Sequence, residues 1–531
     1  MHKDQKPYDA VIVGGGIAGL TAAAYLAKDG YHPLLIEQQD VIGGLVNSFD
    51  YKGFVLDGGI RSIESSGVLK PMIRDLGLDV TLKRSPVTLG IQDQVITLND
   101  IRDIKSYESL LVDLFPEDEH DIEKIVKKIR RILKYMDVLY GIENPMIIDL
   151  KSRPSYVIKT LFPWFFKFVP TLLNIERLSI PVETYLKKYT DNQALIDMIA
   201  QHFFKGTPTF FALGYFSIYF DYHYPVGGTG ELPKALEKYI TSHGGMIMKD
   251  TKIQKLSIQD KTVQDASGQV YPYQKLIWAA DLNALYQMID PNDIIQPKLK
   301  IRVAQRKEEL SSKTGAESVL TVYVLSDLDP EYFRSKSTGH FFYTPKIQGL
   351  NHAVLPETED MSSFVEHLDR FLNLNTYEIS IPALRDESLA PPHQTGLIIS
   401  ILMEYDIIKH IEAKGFYPAF KNYVEKQMID VLSSSIYPEL KHHILETFCS
   451  TPLSFKKRIG STDGAIIGWS YTNQPIPVPH HMSQITKSIQ TNLPDVYQAG
   501  QWSFSPAGVP ISVITGKLAS DATKRYLKKN K

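Results

Sequence analysis

Residues 8–37, YDAVIVGGGIAGLTAAAYLAKDGYHPLLIE, decide the fold because they predict a strand, a glycine turn, a helix and a second strand. Residues 9–13 are a short apolar run rich in β-branched side chains, which is typical of a buried strand. Gly14, Gly16 and Gly19 complete the pattern G-x-G-x-x-G where strand passes into helix. In this pattern the first glycine permits a tight turn, the second lets the backbone approach a pyrophosphate, and the third lets the helix pack closely on the strand.

The helix and strand that follow the turn complete the unit. Residues 17–29 are rich in alanine and leucine, and Gly30 ends the predicted helix. The free N–H groups at its start, around Ile17 and Ala18, would face phosphates at the positive end of the helix dipole. The second strand delivers Glu37, whose carboxylate can accept hydrogen bonds from an adenosine ribose. An ordinary β-turn-α unit is the alternative, but strand, helix and acid together favour dinucleotide binding.

Composition limits the classes of protein to consider. With 531 residues the chain is too long for one core, so we expect at least two domains. The balance of 58 basic and 60 acidic residues gives no ground for a nucleic-acid partner. Cys449 is the single cysteine, which excludes an intramolecular disulfide and fits a reducing compartment. Since the N-terminal residues lack a secretory signal, we expect a cytoplasmic protein.

No stretch of the sequence is apolar enough for a transmembrane helix. The nearest, residues 155–173 (SYVIKTLFPWFFKFVPTLL), is interrupted by two lysines and two prolines. Its aromatic rings alternate with Lys159 and Lys167, a combination that suits the headgroup region of a bilayer. Two interpretations stay open, a peripheral membrane contact and a buried, kinked helix of a cap domain.

Two glycine pairs follow the second strand in residues 38–63, QQDVIGGLVNSFDYKGFVLDGGIRSI. An acid at the end of the second strand, then Gly43-Gly44, then G-F-x-x-D-x-G at residues 53–59 resembles the superfamily of flavin-dependent amine oxidases and phytoene desaturases. Residues 224–246, YPVGGTGELPKALEKYITSHGGM, are similar to the segment where that superfamily re-enters its flavin domain. Residues 496–526, VYQAGQWSFSPAGVPISVITGKLASDATKRY, resemble its C-terminal motif, whose last helix points its N-terminus at the flavin.

This resemblance implies bound FAD in a Rossmann-like domain of the glutathione-reductase type. The residues that it assigns to the cofactor are Gly14, Gly16, Ile17, Ala18, Gly19, Glu37, Gly43, Gly44, Gly58, Gly59, Arg61, Ile253, Ala279, Gly500, Gly508, Val509 and Pro510. Within this set Ile253, at the end of a predicted strand 246–253, would lie alongside the adenine. One departure is Leu45, because the superfamily often has a basic residue after the first glycine pair; Arg61 or Asn47 is the expected substitute.

The tail favours one branch of the superfamily, that of phytoene desaturases, carotenoid isomerases and retinol saturases. Residues 499–510 resemble its A-G-x-x-x-x-x-G-x-P pattern, with seven residues in place of five between the glycines, and Thr451-Pro452 with the glycines before Trp469 resembles its approach to the flavin. The implied architecture is α/β. We expect a discontinuous FAD-binding domain (1–100, 225–300 and 450–531), a helical cap or substrate insertion with possible membrane contact (101–224) and a sheet-containing substrate domain (301–449).

The two inserted blocks carry their own patterns. Apolar residues recur every three or four positions from Ile122 to Leu139, which predicts a packing helix that begins after Pro116. Residues 209–224, TFFALGYFSIYFDYHY, are plain core or an aromatic wall for a long apolar substrate. Strands are predicted at 318–325 and 396–403, and a helix at 425–433.

Motifs for other chemistry are missing from the sequence. The pairs His442-His443 and His480-His481 cannot readily share one metal ion, and nothing resembles H-E-x-x-H, so we expect no metal site. No nucleophile elbow is present either. Tyr471, Trp469 and Ser505 neighbour the C-terminal motif, yet packing or loop capping is the favoured explanation of each, and the catalytic residues stay unassigned.

Three functions are therefore weighed. The first is an FAD-dependent desaturase, saturase or isomerase of a carotenoid-like or retinoid-like polyene, with a lipophilic small molecule as its substrate. The second is a flavoenzyme of the same fold that acts on unsaturated fatty acids or amines. The third is a lipid-escort protein of the GDP-dissociation-inhibitor type, in which the complete glycine set would serve no purpose. The sequence leaves the oligomeric state undetermined.

Overall fold

The strands form two seven-stranded sheets, one three-stranded sheet and one hairpin in the part of the chain that the structure describes. The computed structural model describes residues 7–353, 355 and 361–529. In chain order the strands are β1 (Tyr8–Val13), β2 (Pro33–Ile36), β3 (Ser48–Tyr51), β4 (Phe54–Asp57), β5 (Ile63–Glu64), β6 (Leu82–Arg84), β7 (Val87–Ile91), β8 (Gln94–Leu98), β9 (Tyr222–Pro225), β10 (Met246–Met248), β11 (Ile253–Ser257), β12 (Thr262–Asp265), β13 (Val270–Trp278), β14 (Ser318–Ser326), β15 (His340–Thr344), β16 (Tyr377–Ser380), β17 (Thr395–Met403), β18 (Ile444–Ser450) and β19 (Val496–Gln498).

The α-helices cover the sheets and build most of the segment between β8 and β9. In chain order they are α1 (Ile17–Lys28), α2 (Leu69–Leu76), α3 (Ile104–Leu114), α4 (Glu119–Tyr140), α5 (Pro154–Tyr156), α6 (Phe162–Glu176), α7 (Val182–Leu186), α8 (Gln193–Ala200), α9 (Thr209–Gly214), α10 (Phe216–Asp221), α11 (Glu231–Ser242), α12 (Leu282–Gln287), α13 (Pro297–Ser311), α14 (Pro330–Arg334), α15 (Met361–Leu374), α16 (Tyr405–Ala413), α17 (Tyr417–Ser433), α18 (Pro452–Ile459) and α19 (Val509–Lys529). A π-helical turn, Val157–Leu161, joins α5 to α6.

The first sheet gathers strands from three distant parts of the chain. Its parallel part has the order β10-β2-β1-β13-β19, and the start of β13 continues into an antiparallel meander with β12 and β11. Side chains of β1 are buried on both faces, as expected for a central parallel strand. Helices α1, α11 and α19 share a core with one face, while α12 and α13 share a core with the other. This is the Rossmann-like arrangement that residues 8–37 predict.

The second sheet has the order β18-β14-β17-β16-β15-β7-β8 and is antiparallel except between β15 and β7. The predicted strands 318–325 and 396–403 are its central pair, β14 and β17. The predicted helix 425–433 is the second half of α17, which packs with α15 and α16 against one face of this sheet. Strands β7 and β8 were expected in the cofactor domain, yet hydrogen bonds from β7 to β15 place them in the second sheet.

The helical block between β8 and β9 packs on the β7 and β8 edge of the second sheet. Helix α4 buries its predicted apolar face, from Ile122 to Leu139, against α3, α9 and α10. The strand predicted at 246–253 is two strands, β10 and β11, because Asp250 adopts a positive φ of 52°. Residues 250 and 251 instead donate their N–H groups to the carbonyls of Gln39 and Glu37.

Residues 154–176 are helical, but the segment is not buried as a whole. Trp164 faces inward and donates its indole N–H to the carbonyl of Val138, while Phe162, Phe165 and Phe166 are exposed. Among the described residues, no helix combines the length and the apolar character that spanning a bilayer requires.

Candidate functional site

One cavity of about 780 Å³ joins the first sheet to the second. Its walls come from the loop after β1, the ends of β2 and β13, the start of α19, helices α9 and α10, and one face of the second sheet. Exposed residues line it at two places: Val41, Lys252 and Arg458 are among those beside the glycine loop, and Glu176, Ser179 and His480 lie beside α6. The cavity is therefore a long passage rather than two separate pockets.

The glycines of the loop after β1 differ in how much space surrounds the position of a Cβ atom. A Cβ on Gly14 would lie 2.6 Å from the carbonyl oxygen of Ala279, and Gly14 has a φ of +107°. A Cβ on Gly19 would collide with the carbonyl of Gly14. Gly16 differs, because its backbone is extended and a Cβ there would meet no atom within 4 Å. At Gly16 the chain therefore leaves room on the cavity side, beyond the uncapped N-terminus of α1.

Glu37 ends β2 at the rim of the same loop. Its carboxylate accepts the N–H of Gly15 at 2.6 Å and the N–H of Gln39 at 2.9 Å. Burial raises the pKa of Glu37, and these backbone N–H groups oppose that shift. The side chain is thus fixed at the cavity wall, where a ribose hydroxyl would find a carboxylate acceptor.

The structure brings nearly all the predicted cofactor residues to this cavity. Those that line it are Gly14, Gly16, Ile17, Ala18, Glu37, Gly43, Gly44, Gly59, Arg61, Ile253, Ala279, Gly500, Gly508, Val509 and Pro510. Gly19 and Gly58 do not line it. Gly19 lies beneath the turn against Gly14, and a Cβ on Gly58 would face the guanidinium of Arg458 at 3.5 Å. Both positions shape the loop without reaching the cavity.

Arg61 is the basic group on the cavity wall near Leu45. Its Nη1 donates to the carbonyl of Asp57 at 2.8 Å and its Nη2 donates to Ser400 Oγ at 3.0 Å. Its Nε is buried and has no hydrogen-bond partner among the described residues. Because a buried N–H without an acceptor is costly, this atom favours a bound group that carries an acceptor. Arg61 and Asn47 both line the cavity, and either one as the substitute for the base missing at Leu45 stays a prediction.

Asp57, the acid of the G-F-x-x-D-x-G motif, organises the loops behind Arg61. Its carboxylate accepts hydrogen bonds from Tyr224 Oη at 2.9 Å and from both the backbone and the hydroxyl of Thr229. The guanidinium of Arg385 lies 3.9 Å from it, with both side chains buried. The motif thus ties the first glycine-rich segment to the re-entry segment that begins at Tyr224.

Aromatic side chains build the wall opposite the glycine loop. Residues 209–224 fold as α9, α10 and the start of β9, and their cavity-lining members are Phe210, Phe211, Tyr215, Ile218, Tyr219 and Tyr222. The second sheet adds Val319, Phe342 and Leu402. Several of these rings also pack in the core of the helical block. Residues 209–224 therefore form part of the core and also line the cavity as an aromatic wall. A wall of this kind suits an apolar ligand.

Three polar side chains on the second-sheet side of the cavity form a hydrogen-bonded chain. His340 Nδ1 lies 3.0 Å from Ser62 Oγ, and His340 Nε2 lies 2.9 Å from Glu378 Oε1. Burial lowers the pKa of His340. Burial opposes ionisation of Glu378, but the hydrogen bond from His340 and the charges of Arg61 and Arg385 outweigh it and lower its pKa. The pair is therefore a neutral imidazole that donates Nε2–H to a carboxylate, and Ser62 donates to Nδ1.

All three of these side chains line the cavity, and Glu378 is more exposed than His340. The side chain of Glu378 is 32% exposed, whereas that of His340 is 1% exposed. Neither His340 nor Glu378 belongs to a sequence motif, since both sit on ordinary strands, β15 and β16. The one available signal was the alternation of His340 with Phe342, which places a polar and an aromatic side chain on the same face of β15.

Two more titratable groups line the cavity. Burial raises the pKa of Glu64 to about 7, and its Oε1 lies 3.3 Å from the position of a Cβ on Gly508, at the start of α19. Burial lowers the pKa of His202 to about 4, and its Nε2 has no hydrogen-bond partner among the described residues. Tyr219 and Tyr471 likewise present buried hydroxyls without a described partner. Trp469 packs on Trp502 instead, so of the three residues near the C-terminal motif only Tyr471 lines the cavity.

Metal ligation finds no support in the described ranges. Within residues 7–353, 355 and 361–529 no three His, Cys, Asp or Glu side chains come together to hold a metal ion. His481 lies near Glu176 at the cavity mouth, and His443 pairs with Asp327 on the surface.

The chain is similar to known proteins along nearly its whole length. Residues 12–76 match the family described as NAD(P)-binding Rossmann-like domain. The chain is 23% identical to prolycopene isomerase 1 of an Oncidium hybrid cultivar, with 98% of this chain and 84% of the relative covered. It is 22% identical to human all-trans-retinol 13,14-reductase over 94% of this chain and 82% of the relative. It is 20% identical to a 4,4'-diapophytoene desaturase of Staphylococcus aureus over 96% and 97%.

Solved structures with the same fold are more distant in sequence. An oxidoreductase from Methanosarcina mazei superposes with a TM-score of 0.61 at 14% identity and covers 97% of this chain and 99% of its own. Putrescine oxidase bound to putrescine superposes with a TM-score of 0.59 at 14% identity, with 98% and 99% covered. These comparisons confirm the predicted fold and the predicted resemblance to carotenoid isomerases, retinol reductases and phytoene-type desaturases.

Proposed function

We propose that this chain is an FAD-dependent oxidoreductase that acts on the carbon–carbon bonds of a long apolar polyene. The observation that carries the proposal is the single cavity that runs from the glycine loop to the aromatic wall. A dinucleotide at the loop and an apolar chain along the wall would meet inside it. Relatives that match nearly the whole chain are named for isomerising prolycopene, reducing all-trans-retinol and desaturating diapophytoene, which are three reactions at polyene carbon–carbon bonds.

FAD fits the residues that line the first half of the cavity. The pyrophosphate would take the room beside Gly16 and the free N–H groups of α1, and Glu37 would hold the ribose. Arg61 Nε and the start of α19 would face the ring system. When bound, the flavin supplies hydride transfer to or from the substrate.

The apolar half of the cavity, opposite the glycine loop, would bind the substrate. The aromatic and aliphatic side chains of α9, α10 and the second sheet offer a polyene apolar contact along its length and exclude water from the reacting carbons. An amine would find few polar partners in this wall, which is why the polyene is favoured over the amine substrates of structural neighbours. The same wall could also bind an unsaturated fatty acid, so the substrate test includes one.

Glu378 is the group proposed to take up or return the proton that accompanies hydride transfer. Its carboxylate faces the cavity, and the neutral His340 behind it donates Nε2–H and holds the carboxylate in place. Ser62 fixes the tautomer of His340 by donating to Nδ1. No other carboxylate of the second sheet lines the cavity among the described residues.

The Glu378→Gln variant tests this assignment. The amide keeps the shape of the carboxylate but cannot accept a proton, so turnover of a polyene should fall at least ~100-fold while the flavin content stays unchanged. The limb of the pH–rate profile that reports ionisation of Glu378, acidic if it takes up the proton and basic if it returns it, should disappear as well, which loss of packing alone would not cause. Glu404→Gln, at an exposed site near Lys205, is the matched control. Wild-type turnover in Glu378→Gln would remove Glu378 from the mechanism.

A further inference from the structure

Exposed apolar side chains concentrate in one short segment of the described chain. Among the residues that the structure describes, thirteen large apolar side chains are exposed, and six of them lie between residues 158 and 173. These six, here called the apolar stripe, are Ile158, Phe162, Phe165, Phe166, Val169 and Leu173. Their exposed fractions run from 45% to 69%. Isolated surface apolar residues need no explanation, but a contiguous group of this kind marks a binding surface.

The stripe is one face of a helix whose other face is already packed. Its members recur at intervals of one, three or four positions, which places them on the same side of α6 and the π-helical turn before it. On the opposite side Trp164 stacks on Phe168 with ring centroids 4.3 Å apart, and Thr171 and Ile175 are buried. The stripe therefore does not belong to the core of the helical block.

Charge around the stripe indicates its partner. Residues 151–175 contain four basic side chains, Lys151, Arg153, Lys159 and Lys167, and no acidic one. Lys159 and Lys167 are exposed and have no acidic partner within 4 Å among the described residues. Phenylalanines flanked by lysines fit the surface of an anionic bilayer, where rings enter the acyl boundary and ammonium groups meet headgroups. A second copy of this chain would set the same positive charge against itself.

The stripe is continuous with one mouth of the cavity. Leu172, Ile175 and Glu176 of α6 line the cavity, and Leu173 of the stripe lies between them in the sequence. Ser179, just beyond the helix, is both exposed and cavity-lining. Whatever covers the stripe therefore also lies against this mouth.

We propose that the apolar stripe inserts into the interface of an anionic phospholipid bilayer and sets the mouth beside α6 against the membrane. A lipophilic substrate then passes between the acyl chains and the aromatic wall without crossing water. Membrane docking stands on the stripe alone, whereas entry of the substrate through this mouth rests on the proposed function.

Sedimentation with vesicles tests the docking. The full-length protein should sediment with phosphatidylglycerol-containing vesicles and much less with phosphatidylcholine vesicles, and added salt should weaken binding. The triple variant Phe162→Ser, Phe165→Ser, Phe166→Ser should lose at least about tenfold in partitioning. Ile295→Ser, Ile301→Ser and Leu445→Ser together remove three other exposed apolar side chains and should leave partitioning unchanged.

Other outcomes would overturn the docking. They are equal sedimentation of the triple variant and the wild type, absence of wild-type binding to either vesicle, or a wild-type dimer in ultracentrifugation that the triple variant dissolves. Flavin content and turnover of detergent-solubilised polyene are measured on the same variants. Since both should match the wild type, a failure of the proposed function would show there and not in sedimentation.

Discussion

Gly16 illustrates how one backbone position can serve a ligand rather than the fold. Its φ of −71° and ψ of 176° are open to any residue, and a Cβ there would meet nothing within 4 Å. A valine at this position should therefore fold normally and fill the room proposed for the pyrophosphate. We expect Gly16→Val to keep the far-UV circular dichroism of the flavin-free wild type and to purify without flavin absorbance.

Gly19→Val is the matched control, because the same side chain would there strike the carbonyl of Gly14. This variant should lose secondary structure or solubility together with flavin. If Gly16→Val retained the wild-type flavin content in a folded protein, the dinucleotide site would not lie at this loop.

Glu64 should make stability depend on pH. In the folded protein burial raises its pKa from 4.5 to about 7, so between these values the folded state holds a proton that the unfolded state has released. Stability contributed by Glu64 is therefore present below pH 4.5 and is lost as pH rises to about 7, with a loss of about 3 kcal/mol.

Urea denaturation of the flavin-free protein at pH 5 and pH 8 measures this effect. The wild-type midpoint should fall more between the two pH values than the midpoint of Glu64→Gln, which cannot titrate. Equal falls in the two proteins would mean that Glu64 ionises at its ordinary pKa in the folded state.

At the scale of elements, the contact between α1 and α19 holds the glycine loop and the C-terminal motif at one cavity. Gly516 makes this contact possible, because a Cβ there would collide with the carbonyl of Ala18. Alanine in place of a mid-helix glycine normally adds about 1 kcal/mol of helix stability. Here overpacking against backbone should outweigh that gain and give a net loss of about 1–2 kcal/mol.

Thermal unfolding of Gly516→Ala measures the balance, and the expected result is a melting temperature several degrees below that of the wild type. Gly214→Ala is the control, since the three atoms nearest to its added methyl all belong to the flexible side chain of Met136, and the change should cost less. A Gly516→Ala protein at least as stable as the wild type would show that the two helices can separate freely.

Local patterns in the sequence predicted those elements whose partners are near in the chain or whose burial is periodic. The unit β1-α1-β2, helix α4 and the strands β14 and β17 are of this kind. The pairing of β7 with β15 was missed because the two strands are separated by about 250 residues and carry no shared signal. Helix α6 was ambiguous because its sequence is apolar on both faces, and only the structure shows which face is packed.

Some residues of the candidate site could be recognised from the sequence and others could not. Its glycines and Glu37 were recognisable because backbone approach to a dinucleotide demands particular residue types at fixed spacings. Ser62, His340 and Glu378 come from three distant segments, and only folding of the second sheet against the loop after β4 brings them together. Apart from the alternation of His340 with Phe342 on β15, nothing in their local sequence marks them as site residues.

For the whole molecule, the central feature is that one cavity serves two sheets. The parallel sheet presents the glycine loop and two helix N-termini, and the second sheet with the helical block presents apolar walls and the carboxylate of Glu378. A glycine loop on a parallel sheet and an apolar pocket are each common to many enzymes. Their union in one passage is what favours a redox reaction on an apolar chain over a reaction on a small polar substrate.

The most direct test is anaerobic absorbance spectroscopy of the purified protein, in oxidised and in chemically reduced form, with phytoene, retinol, linoleate and putrescine added in turn. We expect flavin bands in the purified protein and a spectral change or product formation with a polyene. Bleaching of the oxidised bands would indicate desaturation, and turnover that needs the reduced protein would indicate saturation or isomerisation. A protein without flavin, or one that responds to putrescine or linoleate and to neither polyene, would contradict the account.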